Sequence, residues 1–231
     1  MPSDAAEDAR RMGVDLDEAR WRTLDRYVEL LCRWNAHFNL ISRRDVDRIR
    51  SRHVLDSLSI QPILAALPFR GARRRALDVG TGAGFPGLPL AVADPSTDWL
   101  LVDRNARKVR FLELVVSELD LDNVTVRCLD LDGTPPGDLV AWADVIVSRA
   151  VEAPAALIER ARAMLAEGGT FVLMTGAAGS AGARADDALA GAMPEGFRIV
   201  EVKGVRIPGL DRLHEVTIIR RDADGRAERG H

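Results

Sequence analysis

Ala76-Leu77-Asp78-Val79-Gly80-Thr81-Gly82-Ala83-Gly84-Phe85-Pro86-Gly87 holds the chain's densest set of residues suited to ligand chemistry. Apolar residues lead into it, as a buried parallel strand requires. Glycine turns at positive φ and lets a ligand approach the backbone with no Cβ in the way. The run Leu88-Pro89-Leu90-Ala91-Val92-Ala93 then reads as a helix. Strand, glycine turn and helix together predict a nucleotide site, with N-terminal N–H groups and the positive dipole end aimed at the ligand.

Gly82-x-Gly84-x-x-Gly87 satisfies the dinucleotide pattern, a weak signal alone. Two residues favour a different nucleoside. Asp78 stands where a carboxylate can hold an ammonium group, and Pro86 lacks the N–H that a pyrophosphate would need. S-adenosylmethionine carries ammonium and sulfonium charges and no phosphate, so it suits this loop better than NAD. Gly82 and Gly84 are expected to lie beneath it.

Asp103 ends the next apolar run, Asp98-Trp99-Leu100-Leu101-Val102. It can accept from both ribose hydroxyls; the competing reading is a helix N-cap. Asp130, Leu131 and Asp132 follow the third strand, where adenine is expected, and Asp132 is the preferred acceptor for its amine. The alternative is a solvated turn acid. Arg149 closes the fourth strand, where ligands of open sheets sit. It can clamp a cofactor carboxylate or an RNA phosphate as a bidentate donor, or serve as a structural arginine paired with Glu152. The chain lacks both an Asn-Pro-Pro-aromatic tetrad and a cysteine in a Pro-Cys setting. Amino methylation of adenine and carbon-5 methylation of pyrimidines are therefore disfavoured.

A net charge of −3 gives no global basic signature, so any nucleic-acid surface must be local. Arg104, Arg107, Lys108 and Arg110 crowd a helix start, where cations oppose the macrodipole. Arg43, Arg44, Arg48, Arg50 and Arg52 fall in a ten-residue stretch with two aspartates, a local charge of +3. Together these runs are read as a phosphate-binding rim; separately, each reads more often as a solvated face. Cys32 and Cys128 are expected to be buried free thiols, with no metal site. A polar start without an apolar core segment, and no long apolar run, predict a cytoplasmic protein with neither signal peptide nor membrane span.

These side chains need elements to position them. Residues 1–12 read as frayed. A helix is expected from Asp17 to Arg33 on Trp21, Leu24, Val28 and Leu31, then a break through Trp34–Ser42, then apolar helix to Leu67. Residues 1–70 thus form a helical cap, and residues 71–221 alternate strands and helices as a mostly parallel, doubly wound sheet. Gly168-Gly169 are expected to turn into the fifth strand. Residues 176–192 read as mobile or as a weak helix at Ala183–Ala190, an antiparallel hairpin closes the sheet, and 222–231 read as a disordered tail.

Trp34-Asn35-x-x-Phe38-Asn39-Leu40, Arg52-His53-x-Leu55-Asp56-Ser57, the glycine segment and Ser148-Arg149-Ala150 together resemble the bacterial RsmG (GidB) family over residues 16–220. The resemblance implies a class I S-adenosylmethionine-dependent methyltransferase fold, Rossmann-like, with an antiparallel edge strand. It implies an enzyme that methylates N7 of a guanine in 16S ribosomal RNA of the small subunit; separately, a monomer is expected. Cofactor contacts carry over to Gly80, Phe85, the Leu131-Asp132 pair and Arg149. No general base is expected, because N7 bears no proton. Arg44 and Arg52 with the Arg104–Arg110 cluster are the expected RNA contacts. The chain departs from the family pattern at Thr175-Gly176, Asp130 and His214-Glu215, which shifts positive charge on the expected RNA side. The alternatives are a methyltransferase of another RNA or small molecule, and a non-catalytic cofactor-binding module.

Overall fold

The computed structural model describes residues 4–149, 153–177, 191–210 and 213–222. The expected weak helix at Ala183–Ala190, Glu152 and the tail from 223 onward lie outside them. The frayed start is corrected. Helix α1 (Asp4–Arg11) buries Ala6 and Ala9, whose small side chains allow close packing.

Helix α2 (Glu18–Phe38) begins where the Asp17 side chain accepts from the Arg20 N–H at 2.8 Å. It continues past the expected end at Arg33 to a left-handed Asn39 at φ 46°. The break expected through Trp34–Ser42 thus starts at Asn39 rather than Trp34; Asn35 stays in the helix, where its side chain faces inward and accepts the Ile41 N–H at 2.9 Å. Ser42 caps a short 3₁₀ turn, Arg43–Arg48, as expected. A π turn, Arg50–Val54, leads into α3 (Leu55–Leu58) and α4 (Gln61–Ala66).

Seven strands follow: β1 (Arg75–Val79), β2 (Asp98–Asp103), β3 (Val124–Cys128), β4 (Ala143–Arg149), β5 (Leu165–Ala177), β6 (Phe197–Arg206) and β7 (Leu213–Arg221). Their order is β3-β2-β1-β4-β5-β7-β6. The first five pair in parallel, and β7 runs antiparallel between β5 and β6. Helices α5 (Gly87–Ala93), α6 (Ala106–Glu118) and α7 (Pro154–Ala161) are the crossovers. The chain winds outward from β1 in one direction, then returns to place β4 on its other side. That reversal opens a crevice above the carboxyl ends of β1 and β4, the usual ligand position in such sheets.

Alternation along the strands divides the core. Ala76, Leu101, Val145, Val147 and Val172 face one way and join Leu24, Tyr27, Leu31, Leu88 and Leu112 in a single apolar cluster. The N-terminal helices therefore share a core with the sheet. Leu77, Val79, Ile146, Phe171 and Leu173 face the other way, with Ile158 of α7. Strand β5 begins at Leu165, ahead of the expected Thr170. Gly168 and Gly169 lie inside it, where the pairing with β4 shifts register, and Gly168 takes φ 69°. A bulge there absorbs the glycines that the sequence suggested as a turn.

The thiol expectation is also corrected. Cys32 is half-buried and Cys128, at the end of edge strand β3, is exposed. Among the described residues no helix is long and apolar enough to cross a membrane.

Candidate active site

The glycine turn is held from below. The Gly80 and Thr81 N–H groups donate to the Val102 carbonyl, at 2.9 and 3.1 Å, tying the loop to β2. Gly84 sits at φ 111° with Leu88 and Leu112 against the position a Cβ would take. Gly87 is as tightly enclosed, by Leu101 and Asp78. Gly80 differs: a Cβ there would meet nothing within 4 Å. Gly84 and Gly87 are thus enclosed by the core, a Cβ at Gly82 would meet only the Gly80 carbonyl and Lys108 Nζ, both at 3.9 Å, and Gly80 faces open space.

That space is a cavity of about 300 Å³ at the ends of β1, β2 and β3. Gly80, Asp103, Leu131 and Asp132, four of the expected cofactor residues, line it. Asp103 does not cap α6; Asn105 does, accepting the Arg107 N–H at 3.0 Å. Asp103 instead accepts the Gly82 N–H at 3.0 Å on Oδ2 and the Asn105 N–H at 2.8 Å on Oδ1. A carboxylate oxygen has two lone pairs, so both oxygens keep capacity for ligand hydroxyls. Gly82 thus contributes through Asp103 rather than by lining the cavity. Asp132 holds Arg160 Nε at 3.1 Å, and its own N–H donates to Asp130 at 3.1 Å. Both Asp132 and Arg160 are exposed, so this pair is a rim contact open to exchange.

The helix-terminus expectation is corrected. The Gly87 N–H donates to Asp78 Oδ2 at 2.8 Å, Leu88 and Leu90 donate back to Gly84 and Pro86, and Pro89 has no N–H. Helix α5 therefore offers the ligand no free donor from these positions. Asp78 is fully buried beneath the loop. Burial pushes its carboxyl up to about 6, against the lowering effects of Thr81, the Gly87 N–H and Arg149. Thr81 lies near enough to act on Asp78, yet no hydrogen bond of standard geometry reaches Oδ1.

The second half of the site lies across β1, around Phe85 and Arg149. The Arg149 guanidinium lies 5.1 Å from the centre of the Phe85 ring. His53 stacks on the same ring at 5.0 Å. Arg149 Nη1 donates to His53 Nδ1 at 2.9 Å and to Asp56 Oδ2 at 3.3 Å. Because an arginine cannot accept, His53 Nδ1 is the acceptor and its proton sits on Nε2. Burial first, then Arg149, lowers His53 from 6.5 to about 4, so the ring is neutral near pH 7. The other Asp56 oxygen accepts from His214 Nδ1 at 2.8 Å. Among the described residues the acid that Arg149 meets is Asp56, and the expected pairing with Glu152 lies outside them.

Sequence reasoning gave no role to His53 and Asp56, although their motif was the most specific in the chain. His214, expected on an RNA face, turns inward to Asp56 instead. The available signal was the unusual pairing of a histidine and an acid three residues apart in an apolar helix.

The basic residues separate. Arg44, Arg104, Arg107 and Arg110 are exposed and form no ion pair among the described residues. Arg52 pairs with Asp45 at 3.3 Å. Lys108 lies 3.7 Å from Asp103 and, with Arg104, lines the cavity.

Comparison with known proteins agrees with this geometry. A family profile described as rRNA small subunit methyltransferase G matches residues 20–195. Ribosomal RNA small subunit methyltransferase G of Burkholderia thailandensis is 39% identical over 207 residues, 89% of this chain and 85% of that protein. The Burkholderia pseudomallei protein of the same name is 39% identical over 89% of this chain and 86% of its own. Two solved structures show the fold alone. A putative transferase from Pyrococcus horikoshii superposes with a TM-score of 0.56 at 14% identity, over 73% of this chain and 64% of that one. The [4+2]-cyclase SpnF also gives 0.56, at 17% identity, over 71% and 80%. The fold therefore serves more than one chemistry, and the assignment rests on the profile and the relatives: this chain belongs to the rRNA small subunit methyltransferase G family.

Proposed function

We propose that this protein methylates N7 of a guanine in 16S ribosomal RNA, with S-adenosylmethionine as donor. The observation that carries the reading is a two-part cradle joined across β1. A polar cavity under Asp103 suits a nucleoside, and a cation at Arg149 suits an anionic amino-acid end. Gly80 leaves room between them, and no backbone donor array for a pyrophosphate is offered by α5.

When bound, S-adenosylmethionine supplies an electrophilic methyl group, which the N7 lone pair takes while the sulfur keeps the bonding electrons. No proton must leave N7, so the chain need supply no general base. Its task is alignment, which is worth roughly 7–11 kcal/mol when reacting atoms are held in line. Asp103 and Asp132 hold the nucleoside, Gly80, Phe85 and Leu131 shape its bed, the Gly82 N–H holds Asp103 in place, and Arg149 fixes the far end. Gly84 and Asp78 hold the loop itself. Guanine N7 is hidden in the deep groove of A-form RNA, so the target base must be unpaired or splayed out. Arg44, Arg104, Arg107 and Arg110 position the RNA by its phosphates. Segment 1–70 caps the methyltransferase domain of residues 71–221, and the protein works as a cytoplasmic monomer.

Radiolabelled methyl transfer to small subunits that lack the modification, followed by mapping of the modified base, tests this. Label at N7 of one guanine is expected. Label on another atom, or on none, refutes it.

A further inference from the structure

Among the described residues, the Arg149 guanidinium is restrained from one side only. Nη1 is occupied by His53 and Asp56, while Nε and Nη2 donate to no described residue. Asp56 is buried and uses its two oxygens for different partners, Arg149 on β4 and His214 on β7. His53 is held in turn by its stack on Phe85. A chain of contacts therefore runs from the glycine turn through the π turn and α3 to the closing hairpin, with Arg149 at its centre. A planar fork held at one nitrogen presents its remaining donors in a fixed direction, which matches a carboxylate.

We propose that His53, Asp56 and His214 are positioning residues. They hold Arg149 so that its Nε–Nη2 edge receives the carboxylate of the amino-acid end of the cofactor, which makes strand β7 part of the site. This rests on the reading of Arg149 as a cofactor contact. Asp56 also neutralises the guanidinium in a poorly solvated position, so its loss leaves a cation both misaligned and unpaired. His214 donates the hydrogen bond that keeps Asp56 turned toward Arg149.

The test compares two ligands by titration calorimetry. S-adenosylhomocysteine carries the amino-acid end; 5′-methylthioadenosine keeps the nucleoside and thioether but lacks it. Asp56→Asn and His214→Ala are expected to weaken S-adenosylhomocysteine about tenfold or more, the scale of one hydrogen bond to a charged group. Methylthioadenosine should stay within about twofold. His214→Asn, whose amide can donate to Asp56, should recover most of the loss. Equal weakening of both ligands would reveal a merely structural role and overturn the proposal. So would unchanged binding of S-adenosylhomocysteine by His214→Ala, at a partly exposed position. Arg149→Met separates the two levels: unchanged binding there removes the cofactor reading of Arg149. A loss at Arg149→Met with none at His214→Ala removes the positioning role alone.

Discussion

Two buried titratable groups beside the glycine turn pull stability in opposite directions with pH. Burial and Arg149 hold His53 near 4 in the folded protein, against 6.5 ordinarily. The unfolded chain thus binds the extra proton first, and this group costs stability as pH falls from 6.5 toward 4. Asp78 behaves in reverse. Raised from 3.8 to about 6, it takes its proton first in the folded state and adds stability as pH falls from 6 toward 3.8. The two oppose each other over the same window. His53→Gln should therefore gain stability relative to the wild type across that fall in pH, and Asp78→Asn should lose it. Each difference is up to about 3 kcal/mol, two pKa units and more at 1.36 kcal/mol per unit. Urea denaturation at a series of pH values reads both. Asp103 makes a separate prediction: Asp103→Ala should weaken S-adenosylmethionine by roughly 10- to 100-fold in calorimetry, since charged hydrogen bonds contribute about 1.5–3 kcal/mol each.

The turn itself depends on elements distant in sequence. Tyr27 of α2 is fully buried, and its hydroxyl donates to the Ala83 carbonyl at 2.7 Å. Tyr27→Phe should lower stability by about 1–3 kcal/mol, the penalty for an unsatisfied buried carbonyl, and weaken cofactor binding with it. Gly84→Ala meets positive φ and the Leu88 and Leu112 side chains together, and should lose at least about 2 kcal/mol in thermal unfolding. Elements with strong periodicity, such as α6 and the parallel strands, were legible in the sequence because burial repeats along them. The longer α2, the early start of β5 and the helical α1 were not. Each turns on a tertiary partner: an inward Asn35, a glycine bulge against β4, and a surface that accepts two alanines. The cavity residues could be read from strand ends. The His53–Asp56 pair left a local signal, but its union with Arg149 and His214 could not be read, because only the folded topology brings β4 and β7 to it.

Over the whole molecule, the helical segment and the sheet share one core, and the cavity opens at the ends of β1, β2 and β3. The net charge of −3 repels RNA overall, so binding must come from arginines left free of acids. Arg104, Arg107 and Arg110 are such residues. Replacing each by alanine should lower the slope of log affinity against log salt by about 0.7, the value for each phosphate that a cation neutralises on single-stranded RNA. Lys108 and Arg52, already paired with acids, should change it less. Joining these sites requires that one cofactor lie across β1. A crystal structure with S-adenosylhomocysteine measures this most directly. The ribose should lie on Asp103 and the carboxylate on Arg149, with the backbone at Gly80 beneath; a ligand that leaves both side chains untouched would contradict it.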